Sequence, residues 1–137
     1  MVPINQALSL IRAAYPNVQA VYLFGSYATA HERPDSDADI ALLLPHAQAK
    51  AAGPLLMSDL RFALESQLGR SVDLINLRLV STVLQKEIVA TGRRIDCADR
   101  NAAAEFEMLV LSFYQKLNQE RREILEEFFR SKRAYAV

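Results

Sequence analysis

The chain carries no excess charge of either sign: 16 Lys and Arg balance 16 Asp and Glu over 137 residues. Without a global positive field it is not drawn to polynucleotide phosphates, so no direct, stable nucleic-acid binding is expected. The largest local basic cluster is Arg130, Lys132 and Arg133. Cysteine is nearly absent. The single Cys97 excludes an intramolecular disulfide, suits a reducing cytoplasm and has no His at zinc spacing. No basic stretch with an apolar core opens the sequence, and no apolar run approaches membrane-spanning length, so neither export nor membrane contact is expected. Repeats and low-complexity segments are also missing. What remains is ordinary globular composition, 51% hydrophobic and 23% charged. One domain of this length buries about two-thirds of its unfolded surface.

Apolar spacing predicts a mixed succession of helices and strands. Ile4, Leu8, Ile11 and Tyr15 mark a first helix that Asn5 could cap and Pro16 stops. Val18 to Phe24 and Asp37 to Leu44 read as strands, with a short helix after Ser26 and a loop at His31 to Pro34 between them. Pro45 to Gly53 reads as a connector, and Pro54 as the first residue of a helix carrying Leu56, Leu60, Leu64 and Leu68, closed by Gly69. Ser71 to Leu77 is a third strand. Ser81 caps a helix that ends at Gly92, and Arg93 to Cys97 is a short edge strand. Asp99 caps a final helix with the stripe Phe106, Leu109, Val110, Phe113, Leu117, Ile124 and Phe128. The expected fold class is α+β, one domain over 1–137. It divides into a core at 1–98 and a helix at 99–137 whose distal aromatics serve either the core or a partner.

The chemistry concentrates in Gly25-Ser26, followed ten residues later by Asp37-Ala38-Asp39. A Gly-Ser turn ending an apolar strand lets backbone amides approach a phosphate closely. Carboxylates at i and i+2 of a strand point to one face. Such a pair can hold Mg²⁺, which takes one or two carboxylates together with substrate phosphates. Asp73 interrupts an otherwise apolar strand and is the candidate third carboxylate, completing a site for one or two Mg²⁺ ions or acting as general base. Three aspartates packed together without a cation would repel and push a pKa upward. The simpler alternatives are a solvated strand entry for Asp37 and Asp39, an exposed edge for Asp73, a helix cap for Ser26 and a plain turn at Gly25. His31 and His46 read as solvated.

This pattern resembles the nucleotidyltransferase superfamily typified by DNA polymerase β, over residues 18 to 97 directly. The short chain is most similar to its minimal members, the antitoxin halves of HEPN/MNT toxin–antitoxin pairs. The resemblance implies a polymerase β palm-like fold: a small mixed sheet, helices packed mainly on one side, and a long C-terminal helix. It implies that Gly25 and Ser26 cradle the triphosphate of ATP, that Asp37 and Asp39 hold Mg²⁺, and that Asp73 binds metal and deprotonates the acceptor. The implied activity is transfer of AMP to a tyrosine hydroxyl of a HEPN ribonuclease toxin in the cytoplasm. One departure stands out. Relatives often carry Arg three residues after the motif serine and Gly after that, where this chain has Thr29 and Ala30; Arg33 is the nearby candidate replacement. Two alternatives follow: an antitoxin that works by occlusion through its C-terminal helix, possible oligomerisation included, or a small-molecule nucleotidyltransferase. The toxin half itself is excluded, because neither histidine sits in an Arg–His setting on a helix.

Overall fold

The computed structural model describes residues 4–25 and 37–135. The elements run α1 (Ile4–Ala14), β1 (Ala20–Phe24), β2 (Ala38–Leu43), α2 (His46–Ala52), α3 (Asp59–Leu68), β3 (Val72–Asn76), a 3-10 turn (Leu77–Leu79), α4 (Thr82–Thr91), β4 (Arg93–Cys97) and α5 (Arg100–Tyr135). The four strands form one mixed sheet in the order β3-β2-β1-β4. β1 is antiparallel to β2 and β4, while β2 and β3 are parallel and joined by a crossover through α2 and α3.

Local chemistry fixes most element ends. Ser58 accepts from the Arg61 amide and Ser81 from the Leu84 amide, while the Asp99 carboxylate accepts from the Ala102 amide. Each satisfies an amide that a helix N-terminus leaves without a partner. Gly69 closes α3 in the left-handed region at φ 67°. Two expected boundaries move. The segment read as a connector from Pro45 to Gly53 contains α2, in which alanine propensity makes a helix with only Ala49 buried. The helix expected from Pro54 starts at Asp59, because Ser58 supplies the cap that Pro54 cannot. The first helix already includes Asn5, which is therefore not its cap.

The placement of helices also corrects the expectation. They cover both faces of the sheet rather than mainly one. On one face Leu8 and Ile11 of α1 and Leu60 and Leu64 of α3 pack against Val21, Leu23, Ile40, Leu42 and Leu74. On the other, Ile88 of α4 and Ala103, Phe106 and Val110 of α5 pack against Ala20, Tyr22, Ala41 and Leu43. Both central strands are apolar on successive residues because both of their faces are covered. Burying each large side chain contributes about 1.5–3 kcal/mol.

Polar contacts fix α5 on its face. The Tyr22 hydroxyl donates to Glu107 at 2.8 Å, and Arg94 reaches the same carboxylate at 3.3 Å. Burial and the Glu107 charge together push the Tyr22 phenol well above its ordinary range. Farther along, Lys86 sits 4.8 Å over the Tyr114 ring. Beyond Val110 no described residue of α5 is buried, and every residue from 119 to 132 is exposed. A helix of 36 residues is about 54 Å long at ~1.5 Å per residue. Its distal half therefore projects past the sheet.

Candidate active site

Gly25 ends β1 where Phe24 faces Asp39 in the antiparallel register. Its φ is 66°, a conformation that L side chains rarely adopt. An added Cβ would lie 2.2 Å from Oδ2 of Asp39. The carboxylate thus packs directly onto the glycine: the backbone conformation calls for Gly here, and an added methyl would displace the Asp39 carboxylate.

Asp39 lies beside Asp73 in the parallel β2–β3 register. Strand alternation puts both on the face that carries Ala41, Leu43 and Ile75, at its Gly25 end. Asp37 stands exposed one residue before β2. The electrostatics register the crowding: the Asp39 carboxyl is pushed up to about 6, first by burial and then by the negative charges of Asp73 and Asp37. Of the three carboxylates expected from the sequence, Asp73 and Asp37 thus both lie within electrostatic reach of Asp39. Among the described residues, no group of three or more His, Cys, Asp or Glu is placed to hold a metal ion on its own. Mg²⁺ keeps waters and substrate phosphates in its shell rather than an all-protein cage, and a cation beside Asp39 relieves the repulsion that raises its pKa.

Ser26 lies outside the described residues, as do Thr29, Ala30, His31 and Arg33. His46 is at the opposite end of β2 from Asp39, with its Nε2 3.1 Å from Arg78 Nη1. Cys97 pairs with Ala20 at that same far end. One residue with no role assigned from the sequence stands out. Asn76 is buried at the end of β3, and the only signal for it was an amide in an otherwise apolar half-strand.

Comparison with known proteins gives the family of the chain. The model of the family described as polymerase beta, nucleotidyltransferase matches residues 6–101. The chain belongs to that nucleotidyltransferase family. Among individual proteins it is 34% identical, over 123 residues covering 90% of this chain and 85% of the relative, to protein adenylyltransferase MntA of Shewanella oneidensis. A chain in the crystal structure of a toxin–antitoxin with AMP-PNP superposes with a TM-score of 0.72 at 31% identity, over 93% of this chain and 99% of that one. A chain of the tri-AMPylated Shewanella oneidensis HEPN toxin in complex with its MNT antitoxin superposes at 0.64, again 31% identical, over 91% and 94%. No helix among the described residues is long and apolar enough to cross a membrane.

Proposed function

We propose that this protein is a Mg²⁺-dependent protein adenylyltransferase. It takes AMP from ATP, places it on a tyrosine hydroxyl of a cognate HEPN ribonuclease toxin, and so acts as the antitoxin. The observation that carries the proposal is the site itself: Asp39 beside Asp73 in register, with its carboxylate against the left-handed Gly25 turn. Similarity to an adenylyltransferase and to chains of AMPylated toxin–antitoxin complexes supports the substrate and partner.

Each residue has a task in that chemistry. Gly25 lets the backbone approach the triphosphate, with Ser26 following it in the sequence. Asp37 and Asp39 hold Mg²⁺, and Asp73 ligates it from the adjacent strand. When bound, the cation neutralises the phosphates around the phosphorus under attack. Asp73 also takes the phenolic proton as the tyrosine oxygen bonds to the α-phosphorus; the bond to the β-phosphate bridging oxygen breaks and pyrophosphate leaves. A single-domain core at 1–98 carries the reaction, and α5 carries the partner. The exposed Ile124, Leu125, Phe128 and Phe129 on its projecting half, with Phe113 nearer the sheet, form the docking face. The reducing cytoplasm is the proposed setting, in keeping with the free thiol of Cys97.

The test is incubation with labelled ATP, Mg²⁺ and the protein encoded by the adjacent gene. Label on a tyrosine of that protein, lost with Asp39→Ala, supports the proposal. No label, with wild type and Asp39→Ala alike, overturns it. The projecting helix favours a second reading, neutralisation by occlusion alone. In that case Asp37→Asn leaves neutralisation intact while Phe128→Asp abolishes it.

A further inference from the structure

α5 leaves the sheet with its apolar stripe intact. Phe106 and Val110 are buried against the sheet, and helical spacing carries the stripe on through Phe113 and Leu117 to Ile124 and Phe128. Past the sheet the apolar face widens, because Leu125 and Phe129 join it. These four side chains are between 53% and 68% exposed. At about 100° per residue they span an arc of about 140°, from Ile124 through Phe128 and Leu125 to Phe129. One neighbouring helix covers a narrower seam, so the full arc fits a groove between two helices.

Charge is sorted around that arc. Arg121 and Lys132 fall on its midline, one before the apolar group and one after it, about 16 Å apart along the axis. Glu120, Glu123, Glu126 and Glu127 all lie outside the arc. There Glu127 pairs with Arg130 at 3.0 Å. Arg121 and Lys132 are exposed and have no ion-pair partner among the described residues. These two cations select the occupant. A second copy lying along the same face sets cation against cation in either direction: antiparallel about the apolar centre, Arg121 meets the other copy's Lys132, and parallel, each meets itself. Like charges closed into an interface cost affinity, whereas a partner with a carboxylate toward each cation gains it.

We propose that residues 121–132 of α5 fill an apolar groove between two helices of the toxin, with an Asp or Glu of the toxin near each end of the groove to pair with Arg121 and Lys132. This rests on the toxin-docking role given to α5 above and adds the shape and charge of the surface that receives it. Ile124, Leu125, Phe128 and Phe129 supply the affinity. The two cations set how far along the groove the helix lies and keep the face from pairing with itself.

The test measures the Kd of the full-length protein for the product of the adjacent gene. Ile124→Asp and Leu125→Asp probe the two sides of the arc, and Arg121→Glu and Lys132→Glu its midline. All four positions are exposed, so melting temperatures should stay near wild type. Each substitution should weaken toxin binding about tenfold or more and leave the Kd for ATP unchanged. Photo-crosslinking amino acids at positions 121 and 132 should capture toxin peptides that contain Asp or Glu, and the wild type alone should sediment as a monomer. Charge reversals that bind as tightly as wild type, or a loss confined to one side of the arc, overturn the groove. A wild-type dimer undone by the same substitutions overturns it in favour of self-pairing. Label transfer separates this from the enzyme reading. Binding lost in the variants while the wild type transfers no label keeps the groove and removes the enzyme; transfer by the wild type with unchanged variant binding removes the groove and keeps the enzyme.

Discussion

Asp39 and Asp73 are register partners on adjacent parallel strands, 34 residues apart in sequence and side by side on one face of the sheet. Nothing in folding alone rewards that pairing. Burial and the neighbouring negative charges hold the Asp39 carboxyl at about 6 instead of its ordinary 3.8. A domain that keeps such a pair gives up stability for a charge pattern that a divalent cation can use.

The pH dependence follows from the sign of that shift. A carboxyl with a raised pKa binds its proton more tightly when folded. Its contribution is therefore fully present below about pH 4 and is lost as pH rises through about 6. In metal-free buffer the melting temperature of Asp39→Asn should exceed that of wild type by a margin that widens between pH 4 and pH 6.5. Mg²⁺ at neutral pH should narrow the margin by stabilising only the wild type. Scanning fluorimetry across pH, with and without Mg²⁺, checks both.

Gly25→Ala should both destabilise and inactivate. The left-handed φ costs an L residue about 1–2 kcal/mol, and the new methyl collides with Asp39 Oδ2. Adding Asp39→Ala removes the collision but not the backbone cost. The double variant should therefore melt above Gly25→Ala while remaining inactive, a non-additivity that a thermal double-mutant cycle measures.

Asp73→Asn keeps the shape of the strand and should lower transfer by about two orders of magnitude or more. Affinity for the toxin should stay unchanged, because α5, the proposed docking helix, lies elsewhere. Label transfer and pull-down on the same preparations separate the two effects.

Phe128→Asp should leave the melting temperature nearly unchanged, since that ring is exposed and meets Phe129 edge-to-face at 5.6 Å on the same exposed stretch. Toxin capture should be lost. Ile88→Ala makes the opposite control: Ile88 is fully buried between α4 and the sheet, and its truncation should cost about 2–5 kcal/mol without touching the docking face. Denaturant melts and co-purification distinguish them.

The site was more legible in the sequence than the architecture around it. Gly25, Asp37, Asp39 and Asp73 stand out because the proposed chemistry needs particular residue types at particular places on strands, and period-two alternation places Asp39 and Asp73 on one face. α2 was illegible because only Ala49 is buried, so His46–Ala52 shows no apolar period. The covering of both faces was written in β1, where AVYLF has no polar alternate, and the single-sided arrangement expected from resemblance hid that signal. Asn76 could not be read at all. Its amide nitrogen meets the Ala49 and Gly53 carbonyls, a pairing that only the packing of α2 against β3 reveals.

Crystals soaked with Mn²⁺ and a non-hydrolysable ATP analogue, read by anomalous scattering, probe the centre of this account most directly. The account predicts an ion peak held by Asp37 and Asp39 with Asp73 beside it, and a triphosphate against the Gly25 turn. A nucleotide bound elsewhere, or no ion at these carboxylates, would contradict it.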